Sequence, residues 1–159
     1  MSEPMSITLL QQREIEARIL GPVFAAFAEE LGIEKAKAIL TGVVLDLART
    51  GGCSVAQSVG GNDLAHLGNA IETWRKGDAL TLDILRRDDE ALDFNVTRCQ
   101  YAEMYRRLGL ADLGPILSCN RDAAMIEGFN PAIAFSRTQT LMEGAEFCNF
   151  RYRQKPHDA

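Results

Sequence analysis

Ala91-Leu92-Asp93-Phe94-Asn95-Val96-Thr97-Arg98 is the stretch that decides the fold. Leu92, Phe94 and Val96 alternate with Asp93, Asn95 and Thr97, the period of a strand with one face buried and the other wet. Ala79 to Arg87 precedes it across Asp88-Asp89-Glu90, a compact polar connection, so the two runs are expected to form an antiparallel hairpin. On the far side, Gln100 to Leu108 returns to helical texture and stops at Gly109, and a further helix is expected from about Asp112 to Glu127, ended by Gly128. Pro131 to Thr138 and Phe147 to Arg153 read as two more strands, joined by a turn around Glu143-Gly144.

Toward the N-terminus the period changes. Ile15, Ile19 and Leu20 share a helical face, and Gly21-Pro22 is expected to interrupt it, with Pro22 in the first turn of a new helix. Val23, Phe24, Phe27 and Leu31 follow at helical spacing up to Gly32. Ile33 to Arg49 reads as a third helix with Ala36, Ile39, Leu40, Val43, Val44 and Leu47 on its buried stripe, ended by Thr50-Gly51-Gly52. Ser58 to Asn62 reads as a loop, and Leu64, Leu67, Ile71 and Trp74 as a fourth helix ending near Gly77. The sum is an α+β fold, an N-terminal helical layer packed on a small antiparallel sheet of about four strands.

At 159 residues the chain fits a single domain over 1–159, with a helical half over about 6–77 and an α+β half over about 79–154. Hydrophobic residues at 47 % and charged residues at 25 % supply enough apolar surface to order such a chain. The formal net charge of -5 argues against binding a phosphate backbone, and Arg151 to Lys155 is better read as a salt-bridged strand than as a nucleic-acid patch. No apolar run approaches the length needed to cross a bilayer, so no membrane partner is expected. Met1 to Gln12 lacks the features of a signal peptide, and four cysteines make no disulfide scaffold. They are expected to be thiols of a reducing cytoplasm.

Chemistry has few histidines to draw on. His157 lies in a polar tail, and His66 sits inside a helix beside Asn62 and Asn69, where a surface or packing role is expected. Thiols and acids remain. Cys99 and Glu103 are four apart on one expected helix, and Cys119 and Asp122 are three apart on the next, so each pair shares a face. Cys148 lies in the last strand, while Cys53 is expected to be a small apolar filler. Ile133, Phe135 and Arg137 fall on one strand face, placing Arg137 in a partly buried site suited to a carboxylate or, alternatively, in a pair with Glu143 or Glu146. Thr138-Gln139-Thr140 follows at the strand exit.

Several blocks fall in a definite order. Asn95-Val96-Thr97-Arg98-Cys99-Gln100-Tyr101-Ala102-Glu103 comes first, then Leu117-Ser118-Cys119-Asn120-Arg121-Asp122 and Gly128-Phe129-Asn130-Pro131. Arg137-Thr138-Gln139-Thr140-Leu141-Met142-Glu143-Gly144 and Cys148-Asn149-Phe150-Arg151-Tyr152 complete the series. Together they resemble the L-2-amino-thiazoline-4-carboxylate hydrolase family, over about the last 60 residues, with Asn149 standing where that family more often has Asp. The resemblance implies hydrolytic opening of a small nitrogen-containing ring, a cyclic amidine or amide carrying a carboxylate. Two schemes fit such a reaction. In one, Cys119 attacks as a thiolate, Asp122 or Glu103 moves the proton, and Asn95, Arg98, Arg137, Thr138 and Thr140 bind substrate. In the other, Cys99, Cys119 and Cys148 with a carboxylate hold zinc, which activates water. A small-molecule substrate is the expected partner, and a homo-oligomer is allowed. A ligand- or metal-sensing module without activity, or a subunit of a larger hydrolase, stands as the alternative.

Overall fold

A computed structural model describes residues 6–156. His157 lies outside the described residues. Helix α1 spans Leu9–Leu31 and begins at a capping box, in which the Thr8 hydroxyl accepts from Gln11 N and the Gln11 side chain accepts from Thr8 N. The break expected at Gly21-Pro22 does not occur, and Pro22 lies inside the helix. Pro22 is exposed, so water can satisfy the carbonyl that it leaves without a partner. Gly21 faces inward, where an added Cβ would stand 3.0 Å from the Leu110 side chain.

Helix α2, Ile33–Val59, also outruns its expected end and passes straight through Thr50-Gly51-Gly52. The reason lies in its partner, α5 (Arg121–Phe129). A Cβ on Gly52 would stand 2.1 Å from the Met125 carbonyl oxygen, and one on Gly128 would stand 1.9 Å from that of Arg49. Two glycines thus let the helix backbones touch, and at Gly52 that close packing outweighs the usual glycine penalty. Ala36 and Val44 are buried as expected, but Ile39, Val43 and Leu47 are not: they point outward at 50 %, 52 % and 57 % exposure. On α1 the row Ile15, Ile19, Val23 and Phe27 is likewise exposed. By length and composition α2 could cross a membrane, contrary to the sequence expectation. Its inner residues Val44, Ala48 and Gly52 are nevertheless buried.

Helix α3, Leu64–Arg75, is capped by Asp63, whose carboxylate accepts from His66 N and sits 2.7 Å from His66 Nδ1. The histidine is therefore used in a helix cap. The hairpin forms as β1 (Leu80–Arg87) and β2 (Ala91–Cys99), its turn held by the Asp88 carboxylate, which accepts from Glu90 N and Ala91 N. With β3 (Ile133–Ser136) and β4 (Cys148–Gln154), the antiparallel sheet has the order β1-β2-β4-β3. Leu92, Phe94 and Val96 pair with Tyr152, Phe150 and Cys148 on the face toward the helices. Phe94 stacks on Phe150 and Phe135 on Tyr152, each pair at 4.9 Å between ring centroids. The opposite face is polar: Arg153 pairs with Asp93, and Arg151 donates to Asn95 Oδ1 at 2.9 Å.

Helix α4 covers Gln100–Arg107. The single helix expected over 112–127 is instead a π turn, Pro115–Cys119, followed by α5. Pro115, at the start of the turn, has no amide hydrogen to give, and its carbonyl accepts from Asn120 N, five residues on, at 2.9 Å. Cys119 is the last residue of that turn.

Candidate functional site

Three elements meet below the exit of β3: the π turn, the first turn of α5 and the segment that follows Ser136. Asp122 lies in the first turn of α5, where the helix dipole favours a negative charge. Arg137 extends the inward face of β3, as the alternation predicts. Its partner, however, is neither Glu143 nor Glu146. One guanidinium nitrogen pairs with the Asp122 carboxylate and the other donates to the Cys119 carbonyl at 3.0 Å. The guanidinium carbon also lies 5.2 Å from the centre of the Phe150 ring and 5.6 Å from that of Phe135. Arg137 therefore ties both chemically interesting residues to the sheet, with only 12 % of its side chain exposed.

Electrostatics in this corner are set first by burial. Loss of water pushes the Asp122 carboxyl up to about 6 against the pull of Arg137, Arg13 and Arg121. Burial, and then the Asp122 charge, push the Cys119 thiol well above its ordinary value, despite Arg137. The first scheme uses Cys119 as a thiolate, and here desolvation outweighs the attraction of Arg137. Cys99 is raised to about 11 and Cys148 is also raised, both chiefly by burial. Beneath the pair runs a second charged chain, with Arg13 bonded to Glu16 at 2.9 Å and Arg121 at 3.6 Å from the same carboxylate. Three arginines against two acids leave this corner with a surplus of positive charge.

A cleft of about 440 Å³ opens here, lined by Cys119, Asn120, Phe135, Ser136, Arg137 and Thr138 among others. That is the size of a small-molecule site. Of the residues singled out from sequence, Cys119, Arg137 and Thr138 line it and Asp122 stands behind Arg137. Thr138 is held by Asn149, whose Oδ1 accepts from Thr138 N and Gln139 N at 2.9 and 3.0 Å, while its Nδ2 donates to the Thr138 hydroxyl at 2.7 Å. Asn149 is thus the clamp of the strand exit, a role that its position after Cys148 did not reveal.

The other candidates do not line the cleft. Glu103 and Arg98 form an exposed ion pair at 2.9 Å, with 48 % and 57 % of their side chains in solvent. Arg98 holds the Glu103 carboxyl below its usual range, the wrong direction for a proton shuttle at neutral pH. Asn95 is on the polar outer face of the sheet, bound to Arg151. Thr140 is buried and caps the short 3-10 turn Leu141–Glu143, its hydroxyl donating to Glu143. Cys99 caps α4 by accepting from Ala102 N, and Cys148 accepts from Leu141 N at 3.1 Å. Cys99, Cys119 and Cys148 are the metal ligands of the second scheme, and among the described residues no three His, Cys, Asp or Glu side chains gather closely enough to hold a metal ion. Arg13 and Glu16 escaped sequence reasoning, since they reach the site from α1 only through tertiary packing.

Three comparisons bear on this geometry. The sequence model of L-2-amino-thiazoline-4-carboxylic acid hydrolase matches residues 12–152. No curated protein matches the chain. Among solved structures, the chain is similar to the phenol-responsive sensory domain of the transcription activator PoxR, determined with phenol. The TM-score is 0.54 at 14 % identity, over 86 % of this chain and 73 % of that one. That likeness concerns the fold alone.

Proposed function

We propose a hydrolytic function for this chain, which belongs to the L-2-amino-thiazoline-4-carboxylic acid hydrolase family: it opens a small cyclic amidine or amide that carries a carboxylate. One observation carries the proposal. Cys119 and Arg137 line the same substrate-sized cleft, and Asp122 is the strongest charged neighbour of both. The surplus cation of the Arg13–Arg121–Arg137 group suits a substrate carboxylate.

In the proposed reaction the Cys119 sulfur attacks the ring carbon between the heteroatoms as its proton passes to Asp122. A thiol held neutral beside a base poised near neutrality follows the logic of a hydroxyl activated by histidine. The tetrahedral adduct collapses, the ring C–N bond breaks, and Asp122 returns the proton to the departing nitrogen. Water then attacks the carbon–sulfur adduct with Asp122 again taking the proton, and the C–S bond breaks to regenerate the thiol. The net change is addition of one water across one C–N bond.

The test is incubation of purified protein with 2-amino-thiazoline-4-carboxylate, other cyclic amidines, hydantoins and lactams. Loss of ring absorbance and the mass of the product are followed. Turnover in the native chain that disappears in Cys119→Ala is expected, whereas undiminished turnover in that variant removes Cys119 as the nucleophile.

A second reading, binding without conversion, has its own support. The Tyr152 hydroxyl is fully buried and has no hydrogen-bond partner among the described residues, and its ring stacks on Phe135, a residue of the cleft lining. A small ligand with a polar group would satisfy it. Saturable calorimetric binding of a small ring compound that persists without any product would favour this reading over hydrolysis.

A further inference from the structure

We infer that the outer face of the α1–α2 helices is a self-association surface, covered by the same face of a second copy of this chain. Two rows at four-residue spacing carry the inference: Ile15 to Phe27 on α1, and Ile39, Val43 and Leu47 on α2. Each member is between 42 % and 63 % exposed. Rows of this spacing are the ridges by which helices interlock. Together these seven side chains offer roughly 700 Å² of apolar surface, more than the ~300–600 Å² patch of an ordinary monomer. Two copies would bury roughly 1,400 Å², within the range of stable specific interfaces.

The face also has the features of a helix contact. Gly42 lies exposed beside Val43 and has open space above it, so a partner helix can approach its backbone closely. A membrane suits the face less well. The inner side of α2 is packed against α5, and Asp46 and Arg49 lie on the same helix, with Arg49 bonded to Glu127 at 2.6 Å. The flanks carry both signs, Glu30 and Lys35 at one end and Asp46 and Arg49 further along, so a second copy meets no single-sign repulsion.

Light scattering and sedimentation velocity on the full chain, over a wide concentration range, test the proposal. A dimer is expected. Ile19→Asp with Val43→Asp should weaken it by about 100-fold or more, since each charge would be stranded in an apolar contact. Both residues are outside the core, so far-ultraviolet dichroism and thermal melting should be retained. Leu85→Asp, at an exposed apolar position on β1, should leave the dimer intact. Should the double variant fold poorly, Leu47→Lys alone serves the same comparison. A wild-type chain that stays monomeric at the highest concentration overturns the inference, as does a dimer indifferent to these substitutions. Flotation of the monomer with phosphatidylcholine–phosphatidylglycerol vesicles, lost in the variant, would assign the face to a membrane and also overturn it.

Discussion

Cys99–Glu103 and Cys119–Asp122 are near twins in sequence, each a thiol followed three or four residues on by a carboxylate, yet their acids end in opposite environments. The first thiol caps a helix, and its acid leans into solvent against Arg98. The second lines a cleft, and its acid is clamped by an arginine from another element. Helical spacing fixes which residues share a side, but it says nothing of depth. Depth comes from what packs on that side, and only the second pair lies under the exit of β3.

Activity measurements should separate the twins most strongly. Asp122→Asn is expected to lower kcat by about 10³-fold, the usual worth of a positioned acid–base group, whereas Glu103→Gln should leave it within a factor of about two. Equal losses in both would erase the distinction drawn between them. Next in size is the response to pH. The activity should rise about tenfold per pH unit up to an apparent pKa near 6 and then level off, as Asp122 ionises to act as base.

Stability should run the other way for this residue. A carboxyl raised above its ordinary 3.8 binds more protons folded than unfolded, so its contribution falls as pH rises from that value through about 6. Glu103, held below its ordinary value by Arg98, contributes above that value and loses the contribution as pH falls. Denaturant titrations of Asp122→Asn and Glu103→Gln across this range should therefore diverge from wild type in opposite directions. Smallest is the effect of Asn149→Ala, which frees Thr138 and should reduce kcat/KM by about tenfold. Asn95→Ala, on the outer sheet face, serves as its silent counterpart.

The sheet was legible because alternation is a local signal. Leu92, Phe94 and Val96 face the helices as their spacing requires, and β4 pairs with them in register. Punctuation rules served less well in the helices. Gly51-Gly52 resembled a stop, but Gly52 is where α2 meets the backbone of α5, a partner more than 60 residues away along the chain. Pro22 resembled a break, but its lost hydrogen bond faces water. Ile39, Val43 and Leu47 were placed inside because apolar spacing alone does not distinguish a core face from an exposed one. In the site, Cys119, Asp122, Arg137 and Thr138 were identifiable by residue type and period. Their assembly was not, since the Arg137–Asp122 pair joins a strand to a helix and Arg13 arrives from α1. Glu103, Arg98 and Asn95 fall outside this cleft.

The π turn before α5 gives the site an unusual sensitivity to chain length. Such a turn holds one residue more than an α-turn does, so it behaves as a lodged insertion. Deleting Ser118 would let the segment relax into ordinary helix and remove the local bulge on which Cys119 sits. Substitutions around Cys119 can be absorbed by repacking, but a shift in reading length at this point cannot. Homologous chains that share the proposed reaction are therefore expected to preserve the count of residues between Pro115 and Asp122 more strictly than their identities.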